Sequence, residues 1–162
     1  MIYTVPFHGI ALPAFSGSPV FKTVAGIIVP NGARCAVVRA CVGPADATPQ
    51  DRDLVAKILR ATTLGTVTTV IAVGDIPRSD PAGRNPLCTA SITYTGEPTY
   101  DTYGTFALGM NDRGGIDHPF MSEDQEPKVI GGGTVMIGLL VGAMSGTTPL
   151  SVVSGYIAFR EY

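Results

Sequence analysis

Residues 131–162 constrain the fold of this chain more than any other stretch. They read Gly131-Gly132-Gly133, an apolar run from Thr134 to Gly142, a turn at Ser145-Gly146-Thr147-Thr148-Pro149, and a second run from Leu150 to Tyr162. In the first run Val135, Ile137, Leu139 and Val141 alternate with Met136, Gly138, Leu140 and Gly142. In the second, Val153, Ile157 and Phe159 lie opposite Ser154, Tyr156 and Arg160. A period of two marks a strand with one buried face. The glycines open a strand rather than a helix, and no Gly-Lys-Ser/Thr follows, so they do not read as a phosphate loop. The expectation is a closing β-hairpin fed by a glycine hinge.

The same patterning recurs upstream. Val20–Val29 is closed by Pro30-Asn31-Gly32 and followed by Ala33–Gly43, with Ala36, Val38, Ala40 and Val42 on one face. The Pro-Asn-Gly turn predicts a hairpin between these two strands. Leu54, Val55, Ile58 and Leu59 also fit helical spacing, but the segment runs into Thr62-Thr63 and a Thr/Val-rich stretch beyond Gly65. That composition favours strands, and a hairpin joined at Gly65 is predicted. Leu87–Gly96 is read as a strand in which Ala90, Ile92 and Tyr94 alternate with Ser91, Thr93 and Thr95. Tyr103–Met110 and a short His118–Met121 follow, and Lys128–Ile130 leads into the closing pair. About eight to ten antiparallel strands with essentially no helix predict an all-β jelly roll or β-sandwich. Met1–Pro19, broken by Pro6, Gly9, Pro13 and Gly17, reads as an extended arm that pairs at a sheet edge or reaches a neighbour. The expected organisation is an arm over residues 1–19 and one domain over residues 20–162.

Charge narrows the function. Only 15% of the residues are charged, and the net charge is −2. Nucleic-acid binding needs clustered Lys and Arg, so no nucleic acid is expected. A sparsely charged surface suits a chain partly covered by a partner. Met1–Pro13 lacks a basic start and a long apolar core, so no signal peptide is expected. The longest apolar run, Val135–Ala143, is too short and glycine-rich for a membrane helix.

No constellation of reactive residues stands out. Cys35, Cys41 and Cys88 do not form a disulfide framework. Cys35 and Cys41 fall on one strand, roughly 20 Å apart at the usual rise, too far to bridge each other. His8 and His118 are the two histidines. Asp117-His118 lacks a neighbouring nucleophile, and two histidines cannot supply a cupin-like metal cluster. Glu123, Asp124 and Glu126 form an acidic cluster without the ordered spacing of a calcium loop. Arg34, Arg39, Arg52, Arg60, Arg78, Arg84 and Arg113 are scattered. Tyr94, Tyr100 and Tyr103 flank Glu97-Pro98 and fit either an interface or a lid over a sheet end. No catalytic residue, metal or cofactor is expected.

Several segments, taken in order, resemble a known family. They are Asp53-Leu-Val-Ala-Lys-Ile-Leu-Arg-Ala-Thr-Thr-Leu-Gly-Thr-Val-Thr-Thr-Val, the Asp-Pro-Ala loop at 80–82, the Glu97-Pro98-Thr99-Tyr100 turn, the Pro127–Gly142 strand and the Arg160-Glu161-Tyr162 ending. Over roughly residues 20–162 they resemble the jelly-roll capsid decoration (cement) proteins of tailed bacteriophages. The resemblance implies a virion structural protein on the capsid exterior. Its partners would be the major capsid protein and itself, as a homotrimer at threefold and quasi-threefold points of the head. Residues expected at an interface are Ile2, Tyr3, Val5 and Phe7 of the arm, together with Tyr100 and Tyr103. Removing Met1–Pro13 is expected to weaken shell binding or trimer stability while leaving the β fold. Alternatives are another virion β-module, such as a fibre, tail or receptor-binding component, and a cupin-like or carbohydrate-active jelly-roll enzyme.

Overall fold

The computed structural model describes residues 1–46, 51–101, 106–132, 135–145 and 151–162. In chain order its strands are β1 (Ile2–Ala11), β2 (Phe21–Val29), β3 (Arg34–Pro44), β4 (Asp53–Ala61), β5 (Thr66–Ile71), β6 (Thr89–Gly96), β7 (Phe106–Asn111), β8 (Ile116–Pro119), β9 (Lys128–Ile130), β10 (Val135–Ala143) and β11 (Val152–Glu161). They form two antiparallel sheets. Sheet A runs β1-β11-β3-β8, with β9 also on β3, and sheet B runs β5-β6-β2-β10-β4-β7. Side chains from the inner faces of both sheets share one core, which makes the chain an all-β sandwich. Among the described residues no helix is long and apolar enough to cross a membrane.

The inward faces expected of the last two strands hold, but β10 is buried on both faces rather than one. Val135, Ile137, Leu139 and Val141 of β10, and Val153, Ile157 and Phe159 of β11, all lie in the shared core. Their pairing differs from the expected hairpin. β10 lies between β2 and β4 in sheet B, and β11 lies between β1 and β3 in sheet A. The chain therefore crosses from one sheet to the other after β10. Most of the expected turn, residues 146–149, falls outside the described residues, as does residue 150.

Two other expected hairpins are also crossings or long returns. The Pro30-Asn31-Gly32 turn joins β2 of sheet B to β3 of sheet A, so it changes sheets. Gly32 supplies the left-handed backbone, at φ +83°, that such a tight turn needs. β4, a strand as expected, pairs with β10 and β7, whereas β5 pairs with β6. Gly65 does sit in a turn, at φ +67°, packed on the backbone of Gly96-Glu97-Pro98, but that turn leads to the far edge of the sheet.

Two strands break the simple alternation. In β3, a register shift opposite Ala158 and Phe159 leaves Val38 as an extra residue. Cys35, Val37, Ala40 and Val42 consequently face the core, rather than Ala36, Val38, Ala40 and Val42 together. In β6, Thr93 has φ +63°. Ser91 and Tyr94 thereby reach the same side, where their hydroxyls are hydrogen-bonded. Tyr94, Met136 and Ala61 form a second, smaller cluster with Ile28, Leu64, Val67 and Tyr100, separate from the shared core.

The N-terminal segment is not a free arm. β1 pairs with β11 from Ile2↔Arg160 to Phe7↔Gly155, and again at Ile10↔Val153 and Ala11↔Val152. Alternation sends Tyr3, Val5 and Phe7 inward, where all three are buried. The Tyr3 ring lies 5.2 Å from that of Phe159. Gly155 leaves room for Phe7, because a Cβ there would stand 3.0 Å from the Phe7 ring and 2.0 Å from the Cys41 carbonyl oxygen.

Candidate binding face

The alternation that buries Tyr3 and Val5 turns Ile2 and Thr4 outward beside the outward residues of β11. Tyr156, Ala158 and Arg160 continue that face. Arg39 extends it on β3, and Asp117 of β8 pairs opposite Cys41, one outward position from Arg39. The β8–β9 connection closes one side: the Phe120 N–H donates to the Val38 carbonyl at 2.9 Å and the Val37 N–H to the Pro127 carbonyl at 3.0 Å. Between them lies an open groove of about 690 Å³. Ile2, Val38, Phe120, Met121 and Ala158 give it an apolar lining, and Tyr156 and the arginines give it a polar one. Met121 is 83% exposed.

Both arginines are held in place by carboxylates. Arg39 Nε donates to Asp117 Oδ1 at 2.6 Å and its Nη2 to Asp117 Oδ2, a two-pronged pair. Its guanidinium also lies 6.0 Å from the Tyr156 ring centroid. The Asp117 carboxyl is held below its usual range by the hydrogen bond from Arg39, and that bond raises Arg39 in turn. Arg160 reaches Glu126 Oε2 through Nε at 3.1 Å and Nη2 at 2.8 Å, and Glu123 Oε1 at 2.8 Å. The Glu126 side chain is 8% exposed and so largely withdrawn from water, whereas Arg160 is half-buried and Glu123 is at the surface. Hydrogen bonding to Arg160 lowers the Glu123 pKa. Burial, first of all, raises the Tyr156 phenol. The groove thus sets two carboxylate-held guanidinium groups, one of them over the Tyr156 ring, beside an apolar floor, side-chain types that protein interfaces use.

The residues expected at an interface are split. Ile2 lines the groove, while Tyr3, Val5 and Phe7 lie beneath it in the chain's own core. Their side chains cannot face a partner while β1 is paired with β11. Tyr100 is on the opposite side of the molecule, as a lid over sheet B: its hydroxyl is 2.8 Å from Thr23 Oγ1. Thr23 N–H donates to Glu97 Oε2 at 2.9 Å, and Lys22 Nζ pairs with Glu97 Oε1 at 2.9 Å, which fastens the 97–100 turn to β2. Tyr103 lies outside the described residues. Asp117 and His118 point apart: Asp117 binds Arg39, while the His118 ring stacks 4.7 Å from Phe106 and 4.9 Å from Phe120.

Arg39, Tyr156, Arg160 and Met121 were not singled out from the sequence. Tyr156 and Arg160 were visible as outward positions of a mid-sheet strand. Arg39 fell opposite the expected apolar face of Ala33–Gly43, but nothing set it apart from the other scattered arginines. No protein-family model, no curated protein and no solved structure matches this chain.

Proposed function

We propose that the chain is a non-enzymatic virion structural protein, a capsid decoration (cement) protein of a tailed bacteriophage. On this reading it sits as a homotrimer on the capsid exterior and bridges major capsid subunits. The observation that carries the reading is the groove on the outer face of sheet A. Arg, Tyr, Met and Phe are residue types that interface cores favour, and here they line one open groove around pre-positioned guanidinium groups.

We further propose that the sandwich is a jelly roll. Its support is the strand order. With the β5–β6 hairpin set aside and β8 and β9 counted as one strand, sheet A follows the order first, eighth, third, sixth. Sheet B follows second, seventh, fourth, fifth. This is the double Greek-key order of an eight-stranded jelly roll, with one hairpin added at an edge. The family resemblance noted above points to the same architecture.

A trimer in sedimentation equilibrium, together with added density at threefold points in images of decorated heads, is the expected result. A monomer that leaves heads undecorated contradicts the proposal. The aromatic and carboxylate lining of the groove also favours one rival, a glycan-reading receptor-binding module. Saturable glycan binding that is lost on Tyr156→Ala, without head binding, would select that rival.

A further inference from the structure

Cys35 and Cys88 are far apart in sequence and meet inside the sandwich. Cys35 belongs to β3 of sheet A, Cys88 immediately precedes β6 of sheet B, and both are fully buried. Glu161 ties them together. It pairs opposite Cys35 in the β3–β11 ladder. Its Oε1 accepts the N–H of Leu87 at 2.7 Å and of Cys88 at 2.8 Å. Arg84 Nη2 lies 3.5 Å from the other carboxylate oxygen, and the Glu161 side chain is 3% exposed. Interaction with the neighbouring Cys35 side chain, then burial, raises the Cys88 pKa, so Cys88 rests as a thiol. Cys41 faces away from this cluster, on the Arg39–Tyr156 side of sheet A.

We propose that Cys35 and Cys88 are a latent disulfide, which an azo or disulfide oxidant closes to fasten the start of β6 to β3. With the azo reagent diamide, one sulfur adds to a nitrogen of the N=N bond. The second sulfur then attacks the first and displaces that nitrogen. The S–S bond forms, the two thiol protons end on the hydrazine product, and two electrons pass from sulfur to nitrogen. Leu87, beside Cys88, is 56% exposed, so the reagent needs only a local opening of the segment before β6. The closed loop would span β4 and β5 and restrict the unfolded chain.

The test is diamide treatment of the native, full-length protein, followed by thiol titration in denaturant and peptide mapping. The expected result is loss of two of the three thiols, a Cys35–Cys88 link within one chain, and a rise in Tm of roughly 10 °C that a reductant reverses. Cys41→Ser should behave as the parent, and Cys88→Ser should show no rise. A link through Cys41, a link between chains, a link that forms only after denaturation, or an unchanged Tm would overturn the proposal.

Discussion

The Tyr100 hydroxyl stands over Gly138 of β10, so close that a Cβ at that position would lie 2.4 Å from its oxygen and 2.9 Å from the ring. Glycine here lets the 97–100 turn lie flat on sheet B and lets Tyr100 meet Thr23. Gly138→Ala should lift the ring off Thr23 and destabilise the fold by about 1–3 kcal/mol through overpacking and a lost hydrogen bond. Urea denaturation would show a lower midpoint with an unchanged slope. Restoring space with Tyr100→Phe in the same chain should recover part of the loss.

Tyr94 and Tyr100 predict how the protein responds to alkali. Burial pushes Tyr94 up to about 12 and raises Tyr100 as well. An unfolded tyrosine ionises near 10. Their contribution to stability is therefore complete below about pH 10 and is lost as pH rises through the folded values. Phenolate absorbance should rise in two stages, with the last of the six tyrosines ionising only as the fold is lost. A single early stage, complete while the fold persists, would contradict the buried positions.

Acid acts on the groove. Arg39 lowers Asp117, and Arg160 lowers Glu123. Carboxylates lowered in the fold contribute above their unfolded values, and the contribution fades as pH falls through the folded ones. Both lie at the surface, so the effect on global stability should be small and screened by salt. Carboxyl NMR titrations should place both groups below the ordinary carboxylate range. Arg39→Gln should return Asp117 to the ordinary range.

Arg160→Ala has a larger consequence, because Glu126 would keep its largely buried carboxylate without its guanidinium partner. The expected loss is about 1–3 kcal/mol. Hydrogen exchange should accelerate in residues 120–127 more than in the strands. Uniform acceleration across both sheets would place the effect elsewhere.

Deleting Met1–Pro13 now predicts loss of the fold, not loss of an accessory arm. The deletion removes an edge strand of sheet A and four buried side chains: Tyr3, Val5, Phe7 and Leu12. At about 1.5–3 kcal/mol each, that burial is comparable to the whole stability of an ordinary domain. Circular dichroism of the truncated chain should lose its β signal at ambient temperature.

Side-chain facing was legible in the sequence where alternation was unbroken, as in β10 and β11. Pairing was not. Pro30-Asn31-Gly32 and Gly65 mark turns correctly, but a turn between paired strands and a turn between sheets demand the same local backbone. Thr93 and Val38 shift the period by one residue without any compositional sign. The groove suffered from the same limit. Ile2 was expected at a surface, and Arg160 and Tyr156 shared an outward face. Only the β1-β11-β3-β8 order sets them beside Arg39, Asp117 and Glu126, and that order depends on contacts remote in sequence.

Co-sedimentation with intact heads of the phage proposed to encode the chain tests the central claim most directly. The native protein should pellet with heads at a fixed saturating ratio. Arg39→Glu combined with Tyr156→Ala should weaken that binding at least about tenfold while leaving the β-sheet spectrum unchanged. Native protein that stays in the supernatant, or a folded double variant that binds heads as well as the parent, would contradict the account.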